Sequence, residues 1–360
     1  MRVLVVNPGS SSVKLSVVEN GEQLAEAALR GEAVGQARDR MLELADTWGP
    51  ELVGVRFVHG GEQHEPAVYN ERTRDRLAAL TWLAPLHQPL SLQLADFAAR
   101  RLAAPVVACF DTAFHAQMPE AAARYALPRE WTAAFGLRRY GFHGLSCAHA
   151  LRRAAELLGA QQEDLGLVCC HIGAGVSATA VEGGRGVDTS MGLTPLEGAV
   201  MATRSGSVDP GLLLRLLDTK AVDVREMGEV LERGSGLAGM TGTSGDIREV
   251  LALRTAGDPD ATLAVDVYLH RLRREIAAQS AALRRLDAVV LTGGVAEHQP
   301  ALMGELVGGL GALGLRADPE LLRGSGDRTV SPPGASPRVL MLAAREELEI
   351  AREAEQAVPR

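Results

Sequence analysis

The stretch that decides the fold is MRVLVVNPGSSSVKLSVV, residues 1–18. An apolar run at residues 3–6 meets a polar turn, NPGSSS, at residues 7–12. Apolar and polar residues then alternate over residues 13–17, which predicts a second strand with one buried face. Such a turn can wrap a phosphate, because glycine and serine let the backbone come close and supply hydrogen-bond donors. An ordinary serine-rich hairpin turn is the alternative interpretation of the same residues.

The same pattern recurs half a chain later, in LVCCHIGAGVSATAV at residues 167–181. Here His171, Gly173 and Gly175 occupy the turn. Two such hairpins indicate a duplicated α/β architecture in which each half presents one hairpin to a shared cleft. A third glycine-rich turn, TGGVAEH at residues 292–298, follows a predicted strand and resembles turns that cradle nucleotides.

Length, composition and charge exclude several classes of protein. A chain of 360 residues predicts two domains. The net charge is −8 and no basic cluster is interleaved with aromatics, so nucleic-acid binding is not expected. No apolar stretch reaches the ~20 residues of a membrane span. The start lacks a basic region and a cleavage site, so we expect a cytoplasmic protein.

The four cysteines are candidates either for a metal site or for the core. Cys169, Cys170 and His171 are consecutive. Neighbouring residues on a strand point to opposite faces, however, so the two thiols are poorly placed to ligate one zinc ion. We therefore expect buried cysteines on a strand.

The remaining elements set the predicted domain boundaries. Asp260 is the predicted N-cap of a long helix whose buried face carries Val265, Leu269, Leu272 and Ile276. Further helices are predicted over 146–158 and 345–357, a loop over 323–338 and a strand over 339–344. The predicted domains are an N-terminal domain, 1–148, completed by the C-terminal helix 345–360, and a nucleotide-binding domain, 149–344.

Charged residues on loops are candidates for chemistry. Arg56 ends an apolar strand, His87 lies between prolines, Asp111 follows the strand VVACF, His143 lies between two glycines, and Arg204 follows another loop. Each is commonly a structural or surface residue when taken alone. A carboxylate at the end of an α/β strand can hold a metal ion, however. With two phosphate-type hairpins and several arginines, the set supplies what phosphoryl transfer requires.

Eleven motifs, in order along nearly the whole chain, carry a resemblance to the acetate kinases of the acetate and sugar kinase/Hsc70/actin superfamily. They are NPGSSSVK (7–14), RFVHGGE (56–62), LAPLHQP (83–89), FDTAFHAQMP (110–119), ALP (126–128), RRYGFHG (138–144), HIGAG (171–175), VDTSMGLTPLEG (187–198), TRSGSVDP (203–210), SGLAGMTGTSGDIRE (235–249) and EELEIAR (346–352). The resemblance implies an α/β, duplicated actin-like (ribonuclease H-like) two-domain fold with a central nucleotide cleft. It also implies a homodimer.

The resemblance also implies a role for each matching position. The implied catalytic residues are Asp111, His143 and Arg204, and the implied metal ligands are Asn7 and Glu346. Arg56 would bind the substrate carboxylate, and an apolar pocket for the substrate methyl would be formed by Val58, Leu86, Phe142 and Pro195. The implied nucleotide and phosphoryl contacts are Ser10, Ser12, Lys14, His171, Ile172, Gly173, Ala174, Gly175, Asp246, Ile247, Arg248, Gly294, Val295, Ala296, Glu297 and His298.

The implied reaction is Mg²⁺-dependent transfer from ATP to acetate, giving acetyl phosphate and ADP reversibly; Mn²⁺ can substitute. Propionate and butyrate remain alternative acceptors, because one methylene is worth only ~1–3 kcal/mol of discrimination. A pyrophosphate-dependent kinase and an inactive nucleotide-binding sensor are further alternatives. Ala174 motivates a different phosphoryl donor, and Ala174 and Cys147 motivate the sensor; Pro8 and His298 are further departures from the family pattern. Pro8 lacks an N–H, and Ala174 lacks the amide that the family places near the phosphates.

Overall fold

The protein is described by a computed structural model that covers residues 1–9, 12–30 and 34–358. The chain forms two compact units. Unit 1 contains residues 1–117, 140–149 and 344–360, and unit 2 contains residues 118–139 and 150–343. Within the described ranges, no helix has both the length and the apolar character needed to cross a membrane.

Unit 1 is built on a six-stranded mixed sheet in the order β3-β2-β1-β4-β6-β5. The strands are β1 (Arg2–Pro8), β2 (Ser12–Glu19), β3 (Glu22–Arg30), β4 (Leu52–Phe57), β5 (Ala67–Val68) and β6 (Val106–Phe110). The hairpins pair antiparallel, whereas β1, β4 and β6 run parallel. The carboxyl ends of these three strands therefore lie at one edge, where ligands bind in open α/β sheets.

Both faces of this sheet are covered, because successive strand residues point to opposite sides. Leu4 and Val6 face one core cluster. Val3 and Val5 face another, which the C-terminal helix completes. That helix comes so close to β4 that a Cβ on Gly54 would lie 2.8 Å from the Ile350 side chain. The helices of unit 1 are α1 (Val34–Trp48), α2 (Glu71–Ala79), α3 (Gln88–Arg101) and the C-terminal helix α15 (Glu346–Gln356), while α6 (Gly144–Leu158) begins in unit 1 and ends in unit 2.

Unit 2 repeats this topology in full. Its sheet has the order β11-β12-β10-β7-β8-β9. The strands are β7 (Gly166–Ile172), β8 (Val176–Glu182), β9 (Arg185–Thr189), β10 (Ala288–Thr292), β11 (Arg328–Thr329) and β12 (Arg338–Leu342). Strands β7, β10 and β12 are parallel, and the other neighbours pair antiparallel. The duplicated α/β fold predicted from the two hairpins is therefore confirmed.

The helices of unit 2 are α4 (Glu120–Ala123), α5 (Arg129–Phe135), α7 (Pro210–Asp218), α8 (Val224–Arg233), α9 (Gly236–Thr241), α10 (Ile247–Thr255), α11 (Pro259–Ala281), α12 (Gly294–His298), α13 (Pro300–Gly308) and α14 (Pro319–Leu322). Five of them, α7 to α11, lie between the third and fourth strands of the unit in the sequence. Single 3₁₀ turns occur in unit 1 at Thr81–Leu83 and Ala113–His115, and in unit 2 at Gln162–Asp164 and Gly311–Leu313. Helix α11 packs on β7 and β8. Its buried residues include Val265, Leu269, Leu272 and Ile276, as predicted.

Several local predictions were wrong. Asn7 and His171 lie in strands rather than in turns, because they pair with Lys14 and Ser177 in the ladders. The N-cap of α11 is Asp258 rather than Asp260.

The Asp258 side chain accepts a hydrogen bond from the Ala261 N–H, and Pro259 occupies the first turn, where no N–H is needed. The predicted loop at 323–338 contains the short strand β11, which pairs with β12.

Candidate active site

A buried charge cluster lies at the carboxyl edge of the unit 1 sheet. Asn7 is near the end of β1, Arg56 is near the end of β4, and Asp111 follows β6 directly. The parallel order of these strands brings the three side chains together, and Glu346 joins them from the start of α15. Four residues that the sequence assigned to catalysis, substrate binding and metal binding therefore meet in one place.

Arg56 is the centre of this cluster. Its Nη2 and Nε lie 2.7 Å and 3.1 Å from the two Asp111 carboxylate oxygens. Its Nη1 donates to Asn7 Oδ1 at 3.0 Å and lies 3.2 Å from Glu346 Oε2. Asn7 Nδ2 also donates to Glu346 Oε2 at 2.9 Å. One guanidinium is thus shared by two carboxylates and an amide.

The electrostatics of the cluster leave an excess of negative charge. Asp111 is 1% exposed. Burial raises the pKa of Asp111 to about 6 even though Arg56 lowers it, and the nearby Glu346 charge raises it further. Burial lowers the pKa of Arg56, but the charges of Asp111 and Glu346 more than offset this effect and raise it above its ordinary value. A second cation would relieve the repulsion between the carboxylates.

The donor set fits magnesium. Two carboxylates and an amide oxygen are hard ligands, and Mg²⁺ is usually held by one or two carboxylates plus waters and phosphates. Among the described residues, no group of three or more His, Cys, Asp or Glu side chains could hold a metal alone. The cluster of Asn7, Asp111 and Glu346 therefore suits an ion that takes part of its coordination from a ligand.

His143 is held beside this cluster by its backbone. It adopts a left-handed conformation, with φ of 57°. The His143 backbone hydrogen-bonds the Asp111 carboxyl, and the Gly144 N–H donates to the Asp111 carbonyl at 3.0 Å. A Cβ on Gly144 would lie 2.1 Å from that carbonyl oxygen, so only glycine fits here. Buried His115 fixes the other side of the loop through a hydrogen bond of 3.0 Å between its Nε2 and the Phe142 carbonyl.

The predicted acyl-pocket residues are distributed over both units. Val58 and Phe142 are buried and Leu86 is half-buried, all three in unit 1. Pro195 is half-buried in unit 2, and its carbonyl accepts a hydrogen bond from Arg204 Nη1 at 2.6 Å. A common pocket for these residues remains a prediction.

Arg204 is a buried cation whose guanidinium is in salt-bridge contact with no carboxylate of the described residues. It is 9% exposed, and burial lowers the pKa of its guanidinium. Within the described parts of the chain, its side chain hydrogen-bonds the Pro195 carbonyl and forms no salt bridge. The charge of Glu232 raises the pKa of Arg204, but burial outweighs it, so the guanidinium is only partly compensated and the site is suited to an anionic ligand.

A cavity of about 290 Å³ lies in unit 2 at the carboxyl ends of β7 and β10. Its size is near the lower limit of small-molecule sites. Eight residues that the sequence assigned to the nucleotide line it, and they come from three separate segments: Gly173, Ala174, Asp246, Ile247, Arg248, Gly294, Val295 and His298. The close approach of two of these segments requires glycine, because a Cβ on Gly293 would lie 2.7 Å from the Ile172 carbonyl.

The comparisons with known proteins agree with this arrangement. A model of the acetokinase family matches residues 39–352. An acetate kinase from Streptomyces coelicolor is 41% identical, and the match covers 97% of this chain and 95% of that protein. The chain belongs to the acetokinase family.

Solved structures support the same assignment. A propionate kinase from Francisella tularensis aligns with a TM-score of 0.91 at 32% identity, covering 99% of this chain and all of that one. The acetate kinase of Porphyromonas gingivalis aligns with a TM-score of 0.89 at 31% identity and the same coverage. The predicted family, its actin-like α/β fold and its kinase activity are thereby confirmed.

Other predicted contacts of this acetokinase lie outside the cavity. Ala296 is fully buried in the core, while His171, Gly175 and Glu297 are half-buried without lining the cavity. Ile172 is likewise buried. On the first hairpin, Ser12 is half-buried and Lys14 is exposed opposite Asn7. Ser10 lies outside the described residues.

Five residues that line the cavity were assigned no role from the sequence: Ala202, Leu237, Gly245, Tyr268 and Gln299. Leu237 and Gly245 nevertheless lie within the motif at 235–249. Tyr268 lies on the same helical stripe as Val265 and Leu272, so its spacing predicts an ordinary core residue. Gly245 and Gln299 flank segments that were assigned, and extending each assigned segment by one residue would have included them.

Proposed function

We propose that this acetokinase transfers the γ-phosphoryl group of ATP to the carboxylate of acetate, giving acetyl phosphate and ADP reversibly. The observation that carries the proposal is the cavity of unit 2, because three separate segments of the expected nucleotide set converge on it. The relatives named acetate kinase support acetate as the acceptor.

In the proposed mechanism, unit 1 holds the acceptor and the metal. Arg56 binds the acetate carboxylate, and Asn7, Asp111 and Glu346 hold Mg²⁺. When bound, the ion supplies positive charge that neutralises the phosphate oxygens. Acetate is already ionised at neutral pH, so no general base is required.

The transfer itself is an in-line displacement. An acetate oxygen forms a bond to the γ-phosphorus, and the bond from that phosphorus to the β,γ-bridging oxygen breaks. ADP leaves with the electron pair, and no proton is exchanged. His143 and Arg204 stabilise the charge on the transferring group, as positively charged and hydrogen-bonding side chains do in other phosphoryl transfers. Ser10, Ser12 and Lys14 contact the same group from the first hairpin.

Propionate is the second candidate acceptor, because the structural relative from Francisella tularensis is named a propionate kinase. Trapping the acyl phosphate with hydroxylamine, with each acid in turn and with either ATP or pyrophosphate, tests both the acceptor and the donor. We expect product with ATP, and the highest kcat/KM with acetate. No product with acetate, propionate or butyrate would contradict the kinase proposal.

A matched pair of arginine variants tests the site. Arg204→Ala removes the buried guanidinium, whereas Arg254→Ala removes a surface arginine that pairs with Glu305. We expect the first to lose turnover and the second to keep it. Equal turnover in both variants would contradict the role proposed for Arg204.

We further propose that the enzyme works as a homodimer, as the family resemblance implies. Helix α7 buries none of its residues within the chain. Leu212 and Leu214 on this helix are 52% and 67% exposed. A helix that exposes two large apolar side chains and buries none of its residues is the kind of surface found at interfaces. Sedimentation of the intact protein tests this, and a monomer mass at working concentration would contradict it. Because ATP is the proposed donor, we also propose a cytoplasmic location, which cell fractionation tests.

A further inference from the structure

Three side chains of unit 2 form a network to which neither the sequence motifs nor the mechanism assigns a role. Tyr125 Oη donates to Glu197 Oε2 at 2.7 Å, and Arg139 Nη2 donates to Glu197 Oε1 at 2.8 Å. The Arg139 guanidinium carbon lies 5.4 Å from the centre of the Tyr125 ring, within cation–π range. Both carboxylate oxygens of Glu197 are therefore engaged by side chains from the segment 118–139.

The network holds the loop of residues 190–198 at several points. The Leu193 N–H donates to Tyr125 Oη at 2.9 Å, and Arg139 Nη1 donates to the Ser190 carbonyl at 3.3 Å. The loop backbone passes directly beside the network. A Cβ on Gly192 would lie 1.9 Å from Glu197 Oε2 and 2.1 Å from Tyr125 Oη. The loop conformation and the network are thus compatible only with glycine at position 192.

The Tyr125 hydroxyl is the central group of this network, because it donates a hydrogen bond to Glu197 and accepts one from the Leu193 N–H. Burial raises the pKa of Tyr125, and the Glu197 charge raises it further, so the phenol stays protonated and keeps donating. The segment that carries Tyr125 is closed on itself by a hydrogen bond of 2.7 Å from the Arg139 N–H to the Ala123 carbonyl. Both anchors of the loop are therefore themselves fixed.

The same loop carries Pro195, whose carbonyl accepts the 2.6 Å hydrogen bond from Arg204. We propose that Tyr125, Arg139 and Glu197 are positioning residues, which set the place of Pro195 and, through its carbonyl, the orientation of the Arg204 guanidinium. The inference rests on the proposed function, in which Arg204 contacts the transferring phosphoryl group, and on the predicted role of Pro195 in the pocket for the acceptor methyl. The network acts through these two residues and touches neither substrate itself.

The variant Tyr125→Phe tests the network because it removes only the hydroxyl. Without it, Leu193 N–H and Glu197 each lose a partner, and the loop can shift. We expect kcat with acetate to fall about tenfold and the acetate-to-propionate ratio of kcat/KM to fall severalfold, because small misplacements of catalytic groups are costly. ADP affinity, measured by calorimetry, should stay within a factor of two, because no network residue lines the nucleotide cavity.

Tyr69→Phe is the matched control. The Tyr69 hydroxyl also donates to a carboxylate, Asp96 Oδ1 at 2.8 Å, but in unit 1 and outside the proposed machinery. Wild-type kinetics are expected for this variant. Glu197→Gln gives a second test, because it keeps the side-chain shape but removes the charge that Arg139 binds. It should change the acceptor ratio in the same direction as Tyr125→Phe.

Two results would overturn the inference while leaving the proposed role of Arg204 intact. One is an unchanged kcat and acceptor ratio in both Tyr125→Phe and Glu197→Gln while Arg204→Ala abolishes turnover. The other is an equal loss of ADP affinity and kcat, which indicates a general structural role. If instead Arg204→Ala retains wild-type turnover, the role proposed for Arg204 fails, and the positioning inference fails with it.

Discussion

Replacing Arg56 by methionine should make the stability of this protein depend on pH in a defined way. The substitution removes the guanidinium that Asp111 and Glu346 share, at contacts of 2.7 Å and 3.2 Å. Breaking a buried ion pair by removing one partner costs about 3–5 kcal/mol, because the other charge stays buried. The cost should be greatest where both carboxylates are ionised.

The sign follows from the pKa of Asp111. Its folded-state pKa, about 6, lies above its ordinary value of 3.8. The contribution of Asp111 to the free energy of unfolding is therefore fully present below pH about 4, and it is lost as the pH rises through 6. Without Arg56 the pKa of Asp111 rises further above 6. Between pH 6 and this higher pKa, the free energy of unfolding of the variant therefore continues to fall, whereas that of the wild type no longer does. Each pH unit in that range is worth about 1.4 kcal/mol, so the stability difference should widen by up to about 3 kcal/mol from pH 6 to pH 8.

The assay is urea unfolding of both proteins at pH 6, 7 and 8, followed by circular dichroism. Arg254→Met is the matched control, because Arg254 binds Glu305 through two contacts of 3.0 Å near the surface. Exposed pairs are worth about 0–1 kcal/mol, so this control should show a small effect without a pH trend. The double variant Arg56→Met/Asp111→Asn should lose most of the trend. A stability difference that is the same at pH 6 and pH 8 would refute the reasoning.

Three further predictions concern activity. Arg204→Ala should lower kcat about 10²–10³-fold, because removing groups that stabilise transition-state charge has effects of this size. Steady-state kinetics measure the loss of kcat. The ADP affinity, measured by calorimetry, should stay near the wild-type value. Gly144→Ala should lower both kcat and the thermal midpoint, because its Cβ would lie 2.1 Å from the Asp111 carbonyl and displace the His143 loop; wild-type values for both would contradict this. Ala174→Asn should lower the KM for ATP severalfold, because it adds an amide donor to the exposed turn that lines the cavity. An unchanged KM for ATP would show that the amide contributes nothing at this position.

Local patterns predicted the strands and the duplication well, because a strand with one buried face shows its period of two within five residues. The strand ends that carry Arg56 and Asp111 were found for the same reason. The N-cap of α11 was misplaced because Asp258 and Asp260 both suit a cap. Pro259, which tolerates the first helical position but not later ones, is the local signal that distinguishes them.

Features that depend on distant residues could not be read from the sequence. Tyr268 has the spacing of a core residue, and only the packing of α11 shows that it reaches the cavity. Tyr125 and Glu197 are 72 positions apart and join no common motif. The sequence placed Tyr125 within the domain 1–148, whereas the segment 118–139 is part of unit 2.

The duplicated topology explains why the two units support different chemistry. Strands β4 and β10 occupy equivalent places, as do β6 and β12. In unit 1, Arg56 lies next to the end of β4 and Asp111 directly follows β6, and their buried charges pair with each other. In unit 2 the strand β10 ends in Thr292, and Gly293 then brings the next turn close to the Ile172 backbone. The sheet edge of unit 1 therefore offers charged side chains, which suit a metal ion and a carboxylate. The sheet edge of unit 2 offers backbone segments that approach each other closely, which suit a nucleotide. Because Arg56 offsets both carboxylates of the charged edge, its removal should make the stability of the protein fall as the pH rises, through the buried Asp111 carboxylate.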